Sequence, residues 1–163
     1  MKNGITQSRL KEVLDYNRDT GEFIWKSPPK YHPRMMGKKA GCNTTGYTLI
    51  KVDTEKYKAH RLAWLYVYGA MPKKCIDHAD GNPFNNAIAN LREATVAQNL
   101  ANARLMKNKT LPKGVRKNGN GYTARISFEG KLINIGTYPT IDQAADAYLA
   151  EARRLYGEFA RAK

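Results

Sequence analysis

An aspartate and a histidine stand side by side at Asp77-His78, an Asn-Leu-Arg triplet follows at 90–92, and Gln98-Asn99 comes after it. These residue types can do chemistry together. Asp77 offers a carboxylate oxygen and Asn99 an amide oxygen, and two such ligands completed by water and phosphate oxygens suit Mg²⁺. His78 is the natural general base, because an imidazole with an ordinary pKa of about 6.5 takes a proton from water at neutral pH. A bound cation would polarise a phosphoryl oxygen and stabilise the leaving oxygen as charge develops. Metal, base and a basic surface together make a phosphodiesterase.

For these groups to meet, particular elements must carry them. Cys75-Ile76-Asp77 reads as a short strand, so that Asp77 and His78 project into the polar, turn-rich stretch from His78 to Asn90. Thr95-Val96-Ala97-Gln98 has capping-box spacing, which predicts a helix to about Met106 with Asn99 in its first turn. Upstream, Leu10, Val13 and Leu14 at i, i+3 and i+4 predict a helix over Ser8–Tyr16. A turn at Asp19-Thr20-Gly21 leads to a strand at Glu22–Lys26, with Phe23 and Trp25 on one face. Residues 27–45 form a basic loop, where His32 is a solvated residue or a phosphate contact, and Tyr47–Val52 is a second strand. His60 to Tyr68 is apolar on nearly every face and stops at Gly69, the pattern of a buried helix with a glycine C-cap. His60 is expected to make a structural hydrogen bond at the start of that helix.

Composition narrows the partner. Lysine and arginine number 28 against 14 acidic residues, a net charge of +14. The excess is spread along the chain, +6 over residues 1–60, +4 over 61–110 and +4 over 111–163. That is expected of a protein whose every part lies against a polyanion, which makes nucleic acid the leading partner. A membrane surface fits less well, since no basic amphipathic helix of the lipid-binding kind is evident. The longest strongly apolar run, Leu62 to Tyr68, is too short to span a bilayer. Met1-Lys2-Asn3-Gly4 leads into a polar stretch without an apolar signal core, so a cytosolic protein is expected. Cys42 and Cys75 form no CxxC pair, which argues against a zinc site of paired cysteines and for two buried free thiols. Nothing implies a small-molecule cofactor.

After a linker at 107–113 the pattern changes. Val115–Lys117 and Tyr122–Phe128 read as strands, the second alternating Tyr122, Ala124, Ile126 and Phe128 with Thr123, Arg125 and Ser127. Glu129-Gly130 is a two-residue hairpin turn, and Ile133 and Ile135 continue the apolar face on the returning strand. Thr140 to Gln143 is a second capping box, opening a helix with Ile141, Ala144, Ala145, Tyr148, Ala152 and Leu155 along one stripe. Arg116, Lys117, Asn118, Arg125 and Ser127 are candidate DNA contacts, because a small sheet presenting such groups can lie in a major groove. Composition leaves an ordinary solvated sheet face equally open.

The central segment resembles the HNH nuclease family, in the variant whose third histidine is an asparagine. The matching text is Asp77-His78, Asn90-Leu91-Arg92 and Asn99, preceded by Leu14-Asp15-Tyr16, Thr20-Gly21-Glu22-Phe23, Ala59-His60-Arg61-Leu62-Ala63-Trp64 and Asp80-Gly81-Asn82. It covers roughly residues 12–105 and is similar to phage-encoded and homing members. The resemblance implies a ββα-metal domain with Asp77 and Asn99 on the metal, His78 activating water, and Asn90 hydrogen-bonding across the loop to hold His78. Where the family loop often reads Asp-Asn, this chain has Asn85-Asn86, and the resemblance gives neither a catalytic role.

Residues 112–160 resemble the ethylene-response-factor (APETALA) DNA-binding domain, on Gly114-Val115-Arg116, Ala124-Arg125-Ile126, Ile135-Gly136-Thr137-Tyr138 and Thr140-Ile141-Asp142-Gln143-Ala144-Ala145. Arg116 carries over as a contact. Arg125 stands where the plant pattern has an acid and Ser127 where it has an arginine, so sequence preference does not carry over. The expected protein is α+β, with an HNH nuclease domain at 1–106, a linker at 107–113 and a three-stranded antiparallel sheet on one helix at 114–160. It would cut double-stranded DNA, by a nick or a double-strand break, leaving 5′-phosphate and 3′-hydroxyl ends, with Mg²⁺ or Mn²⁺ as its metal. The rival readings are a non-catalytic DNA-binding regulator and, more distantly, an RNA-binding protein; the intact set of four residues argues against the first.

Overall fold

Thr6 opens the first helix, its hydroxyl accepting the Arg9 N–H, and α1 runs Gln7–Val13. This computed structural model describes residues 4–29, 32–103 and 110–161. The helix stops at Val13, short of the expected Tyr16. Leu14–Tyr16 instead form β1, antiparallel to β2 (Phe23–Trp25), with Leu14 opposite Trp25 and Tyr16 opposite Phe23. Leu14 and Tyr16 satisfy strand alternation as well as the helical spacing. Pairing wins because it buries both and sets the Tyr16 ring 4.7 Å from that of Phe23. In the turn between the strands, the Asn17 side-chain oxygen accepts the N–H groups of Asp19 and Thr20, and Gly21 adopts φ +72°.

A second antiparallel sheet has the order β3 (Cys42–Asn43), β4 (Thr48–Val52), β5 (Glu55–Lys58). The β5 strand carries Glu55-Lys56-Tyr57-Lys58, with no apolar alternation to announce it, as suits a charged sheet edge. Next, α2 (Ala59–Tyr68) ends on Gly69, in the left-handed conformation with its N–H on the Leu65 carbonyl. Then β6 (Cys75–His78) pairs with β7 (Leu91–Ala94). Leu10, Leu14, Phe23, Ile50 and Leu62 are the largest fully buried side chains. Both cysteines are free as expected, but exposed rather than buried. Cys42 lies on the two-residue edge strand and Cys75 at the outer start of β6, where no core reaches them.

The chain divides into two compact units, Met1–Glu93 and Ala94–Lys163. The division precedes the helix opened by Thr95, which the sequence reading grouped with the nuclease domain. That helix, α3 (Val96–Asn102), has the full capping box: Thr95 Oγ1 accepts Gln98 N–H and Gln98 Oε1 accepts Thr95 N–H. It ends at Asn102, and Met106 with positions 107–109 of the expected linker lies outside the described residues. Lys113 explains the grouping. Its ammonium donates to the carbonyls of Leu100, Ala101 and Ala103, tying the end of α3 to the chain that enters the second unit's sheet. Burial, helped by Arg161, pushes the Lys113 amine down to about 8.

That sheet is antiparallel, in the order β10 (Lys131–Tyr138), β9 (Gly121–Phe128), β8 (Val115–Asn118), and it packs on α4 (Ile141–Tyr156). Glu129 and Gly130 both take positive φ, the signature of a tight primed hairpin turn. Ile133 faces Ile126, a bulge follows between Asn134 and Gly136, and Ile133 and Ile135 both pack on the core of Val115, Ala124, Ile126, Ala144, Tyr148 and Ala152. The fold is α+β, as expected.

Gly21 supplies a test of the packing. A Cβ there would lie 2.2 Å from the Ala87 nitrogen and 2.2 Å from the Asn86 carbonyl carbon, at a φ that disfavours any side chain. Gly21→Ala should therefore destabilise the protein by roughly 1–3 kcal/mol. A urea unfolding midpoint equal to wild type would contradict the close approach.

Candidate active site

Asp77 and His78 end β6 at 3% and 6% exposure, so both functional groups sit in protein rather than in water. Burying a carboxylate is costly unless it is paired. Asp77 is paired: Arg92 of β7 donates from Nε to Asp77 Oδ2 at 2.9 Å. The loop after His78 is closed at its base by the Ala79 N–H on the Asn90 carbonyl, at 2.9 Å.

Asn90 hydrogen-bonds across the loop. Its partners are within the loop itself: the amide donates to Asp80 Oδ1 (3.0 Å) and to the Asn85 carbonyl (2.8 Å), and its oxygen accepts the Asp80 N–H (2.9 Å). Burial alone would raise the Asp80 pKa. Hydrogen bonds from the Asn82 N–H and the Asn85 and Asn90 amides, with His78 nearby, hold the carboxyl below its ordinary value instead.

The amide on His78 belongs to Asn86, a residue the sequence reading left without a role. Asn86 is buried, and its Oδ1 lies 3.3 Å from His78 Nε2. Asn86 Nδ2 donates to the Phe84 carbonyl, which turns Oδ1 toward the imidazole. An amide oxygen can only accept, so His78 Nε2 carries the proton and Nδ1 carries the lone pair. Burial lowers the His78 pKa, partly opposed by Asn86, Asp80 and Asp77, and the ring is neutral at pH 7. A neutral imidazole with a fixed tautomer is the form a general base needs.

Asn86 is itself fixed from the N-terminal hairpin. Tyr16 donates its hydroxyl to the Asn86 carbonyl at 2.7 Å, the Ile88 N–H reaches the Arg18 carbonyl at 3.0 Å, and Gly21 abuts the Asn86–Ala87 peptide. These partners are 70 positions apart in the chain for Tyr16 and Asn86, beyond any spacing rule. His60 was also missed as a site residue. Among the described residues it makes ring contacts, edge-on to His78 and to Tyr47, in place of the expected structural hydrogen bond. His32 is exposed.

Asn99 lies in α3 of the second unit and is half-buried. The described residues hold no cluster of three His, Cys, Asp or Glu side chains able to grip a metal. The candidate DNA contacts are also in this unit. Arg116 and Ser127 are exposed on the sheet face turned from α4, and Arg125 on the same face is half-buried opposite Asn134. The Arg125 Nε is buried with no hydrogen-bond partner among the described residues. Asn118 donates to Thr123, which also meets the Thr137 hydroxyl. Lys117 pairs with Tyr122 and so alternates to the helix side, away from that face.

The family described as HNH endonuclease matches residues 57–101, the span that holds His60, Asp77, His78, Asn86, Asn90 and Asn99. The chain is 37% identical over 146 residues to an uncharacterized HNH endonuclease of Acanthamoeba polyphaga mimivirus, covering 88% of this chain and 75% of that one. The chain belongs to the HNH endonuclease family. It is an endonuclease by that membership, hence a phosphodiester hydrolase, and DNA is the substrate class the family implies. It is also 36% identical over 112 residues to Protein 3.8 of Escherichia phage T7, covering 64% of this chain and 92% of that one. A Bacillus subtilis protein named as a prophage-derived HNH homing endonuclease is 38% identical over 100 residues, covering 61% of this chain and 57% of its own length. No solved structure matches at the same stringency. The family match ends at residue 101 and lends no support to the C-terminal APETALA resemblance. No helix among the described residues is long and apolar enough to cross a membrane.

The buried histidines fix a pH dependence of stability. Burial, then His78, Lys58 and Arg61, push His60 down to about 3, and His78 is also lowered. Both folded values lie below the unfolded value, so below about pH 6.5 the unfolded chain takes up protons that the folded chain refuses. Stability is present above that pH and is lost as pH falls, by up to about 1.4 kcal/mol per pH unit for each histidine. The urea midpoint should drop between pH 7 and pH 5, and drop less in His60→Phe. Equal drops in the two proteins would contradict the assignment.

Proposed function

We propose that the protein is a metal-dependent HNH endonuclease that hydrolyses double-stranded DNA and serves a mobile element. The observation that carries this reading is the His78 imidazole, buried, neutral and held by Asn86 with its lone pair on Nδ1. His78 takes the proton of the attacking water on Nδ1, while Asn86 keeps the other nitrogen protonated. Asn90 shapes the loop that presents them, and Arg92 holds the Asp77 carboxylate in place.

Asp77 and Asn99 are the proposed metal ligands. Asp77 offers a carboxylate oxygen and Asn99 an amide oxygen. That donor set fits Mg²⁺, which keeps much of its shell as water and substrate oxygens, and Mn²⁺ is the alternative. When bound, the cation supplies charge stabilisation to the phosphoryl and leaving oxygens. The net charge of +14 draws the polyanion in. In the second unit, Arg116, Arg125 and Ser127 face the groove of the duplex in the manner of an APETALA-type sheet. Asn118 and Lys117 act more weakly, one tied to Thr123 and the other on the opposite face. The phage, prophage and virus relatives support the mobile-element role.

His78→Ala should lower the cleavage rate roughly 10²–10⁴-fold, the usual worth of a positioned base. Asp77→Ala and Asn99→Ala should abolish Mg²⁺-dependent cleavage of a plasmid yet leave duplex binding intact. Wild-type rates in these variants at saturating Mg²⁺ would refute the roles given to them. Arg116→Ala should flatten the plot of log K against log salt by about 0.9 if it neutralises one phosphate. An unchanged slope and unchanged site preference in Arg116→Ala and Arg125→Ala would place DNA on another surface.

A further inference from the structure

A hydrogen bond at one corner of a ring constrains a point more than it constrains the plane of the ring. The bond from His78 Nε2 to Asn86, at 3.3 Å, is a long one. A base that must hold Nδ1 toward a water also needs its plane set, and a ring contact on His78 bears on that plane. His60, in the first turn of α2, meets the His78 ring at a centroid distance of 5.2 Å and an interplanar angle of 85°, an edge-to-face contact. His60 also meets Tyr47, at 5.2 Å and 65°. Tyr47 is backed in turn by Lys58, whose ammonium stands 4.2 Å from the ring centroid. A chain of contacts thus runs from the exposed Lys58 through Tyr47 and His60 to His78.

We propose that His60, backed by Tyr47, is a positioning residue that sets the plane of the His78 imidazole and so the aim of its Nδ1. This rests on the reading of His78 as the base. At 5% exposure His60 is buried and uncharged at neutral pH, so it acts as a flat ring rather than as a cation. Tyr47 is half-buried at the end of the β3–β4 connection and in ring contact with His60. A wall of this kind contributes to the rate and not to DNA affinity, because it touches neither phosphate nor base. Displacing a catalytic group by about 1 Å costs on the order of 10²-fold in rate.

The test is steady-state cleavage of a duplex in Mg²⁺ by full-length His60→Leu, His60→Ala, His60→Phe, Tyr47→Ala and His78→Ala. Leucine fills the volume without a flat ring, and phenylalanine restores the ring without nitrogens. His60→Leu and His60→Ala should lose roughly 10–10²-fold in kcat with KM within about twofold of wild type. His60→Phe should recover most of that loss. Tyr47→Ala should lower kcat less, and adding it to His60→Leu should cost little more, since both act through one ring. If His60→Ala fails to fold, as read by circular dichroism, the leucine and phenylalanine proteins carry the test. Wild-type kcat in folded His60→Leu overturns the proposal, as does a loss confined to KM or one that phenylalanine does not recover. His78→Ala separates the two readings. A fully active His78→Ala removes the base assignment, whereas an inactive His78→Ala beside a fully active His60→Leu removes only the positioning role.

Discussion

The active site depends on one close approach, that of the N-terminal hairpin to the peptide between Asn86 and Ala87. The loop from Ala79 to Asn90 is polar and could not hold a side chain to a fraction of an ångström by burial. It borrows its order from the core. Tyr16 and Phe23 are buried with their rings in contact, and from that anchored strand the Tyr16 hydroxyl reaches out to the Asn86 carbonyl. The missing side chain at Gly21 lets the hairpin's turn come near enough for the Arg18 carbonyl to receive the Ile88 N–H. Accuracy at the imidazole is therefore a property of a hydrophobic cluster that reaches Asn86 from 70 positions upstream. The loop's own Asp80, Asn82, Asn85 and Asn90 supply shape, through hydrogen bonds that close on one another.

Charge around His78 is committed before any substrate arrives. Asp77 is bound to Arg92, and Asp80 accepts from Asn82, Asn85 and Asn90. His60 stays neutral because burial and the neighbouring His78, Lys58 and Arg61 all oppose its charge, and His78 because burial outweighs Asn86 and the nearby carboxylates. Fixed dipoles and paired ions of this sort need no rearrangement when charge develops on a bound group, which is where electrostatic preorganisation draws its effect. The surface is the opposite, with an excess of lysine and arginine over most of the chain.

Local patterns were the easiest to read from the chain. The capping box at Thr95, the glycine at the end of α2, the alternation of β9 and the primed turn at Glu129-Gly130 each follow from residues within one element, and each is present. Where two local patterns overlapped, as at Leu14, tertiary pairing decided and the helix reading failed. The Glu55–Lys58 strand was invisible because an edge exposed to water carries no hydrophobic signature. Within the site, the Asp77-His78 pair was legible from residue type. Asn86 and His60 were not, since their roles come from contacts between distant segments. The assignment of Asn90 to the imidazole shows the same limit: spacing identified a loop-spanning asparagine without saying which atom it would meet.

Lys113 has a consequence for how the second unit opens. A short helix such as α3 ordinarily frays from its last turn, where the carbonyls lack partners. Here one ammonium gathers three of those carbonyls, and its own backbone lies two residues before β8. The end of the helix cannot loosen without releasing that side chain from the threshold of the sheet. Amide protons in the last turn of α3 are thereby coupled to the sheet and exchange with solvent through a shared, larger opening rather than by private fraying. A single lysine outside the helix extends its cooperative unit, and an arginine, with a planar fork in place of a point-like ammonium, would not converge on three carbonyls in the same way.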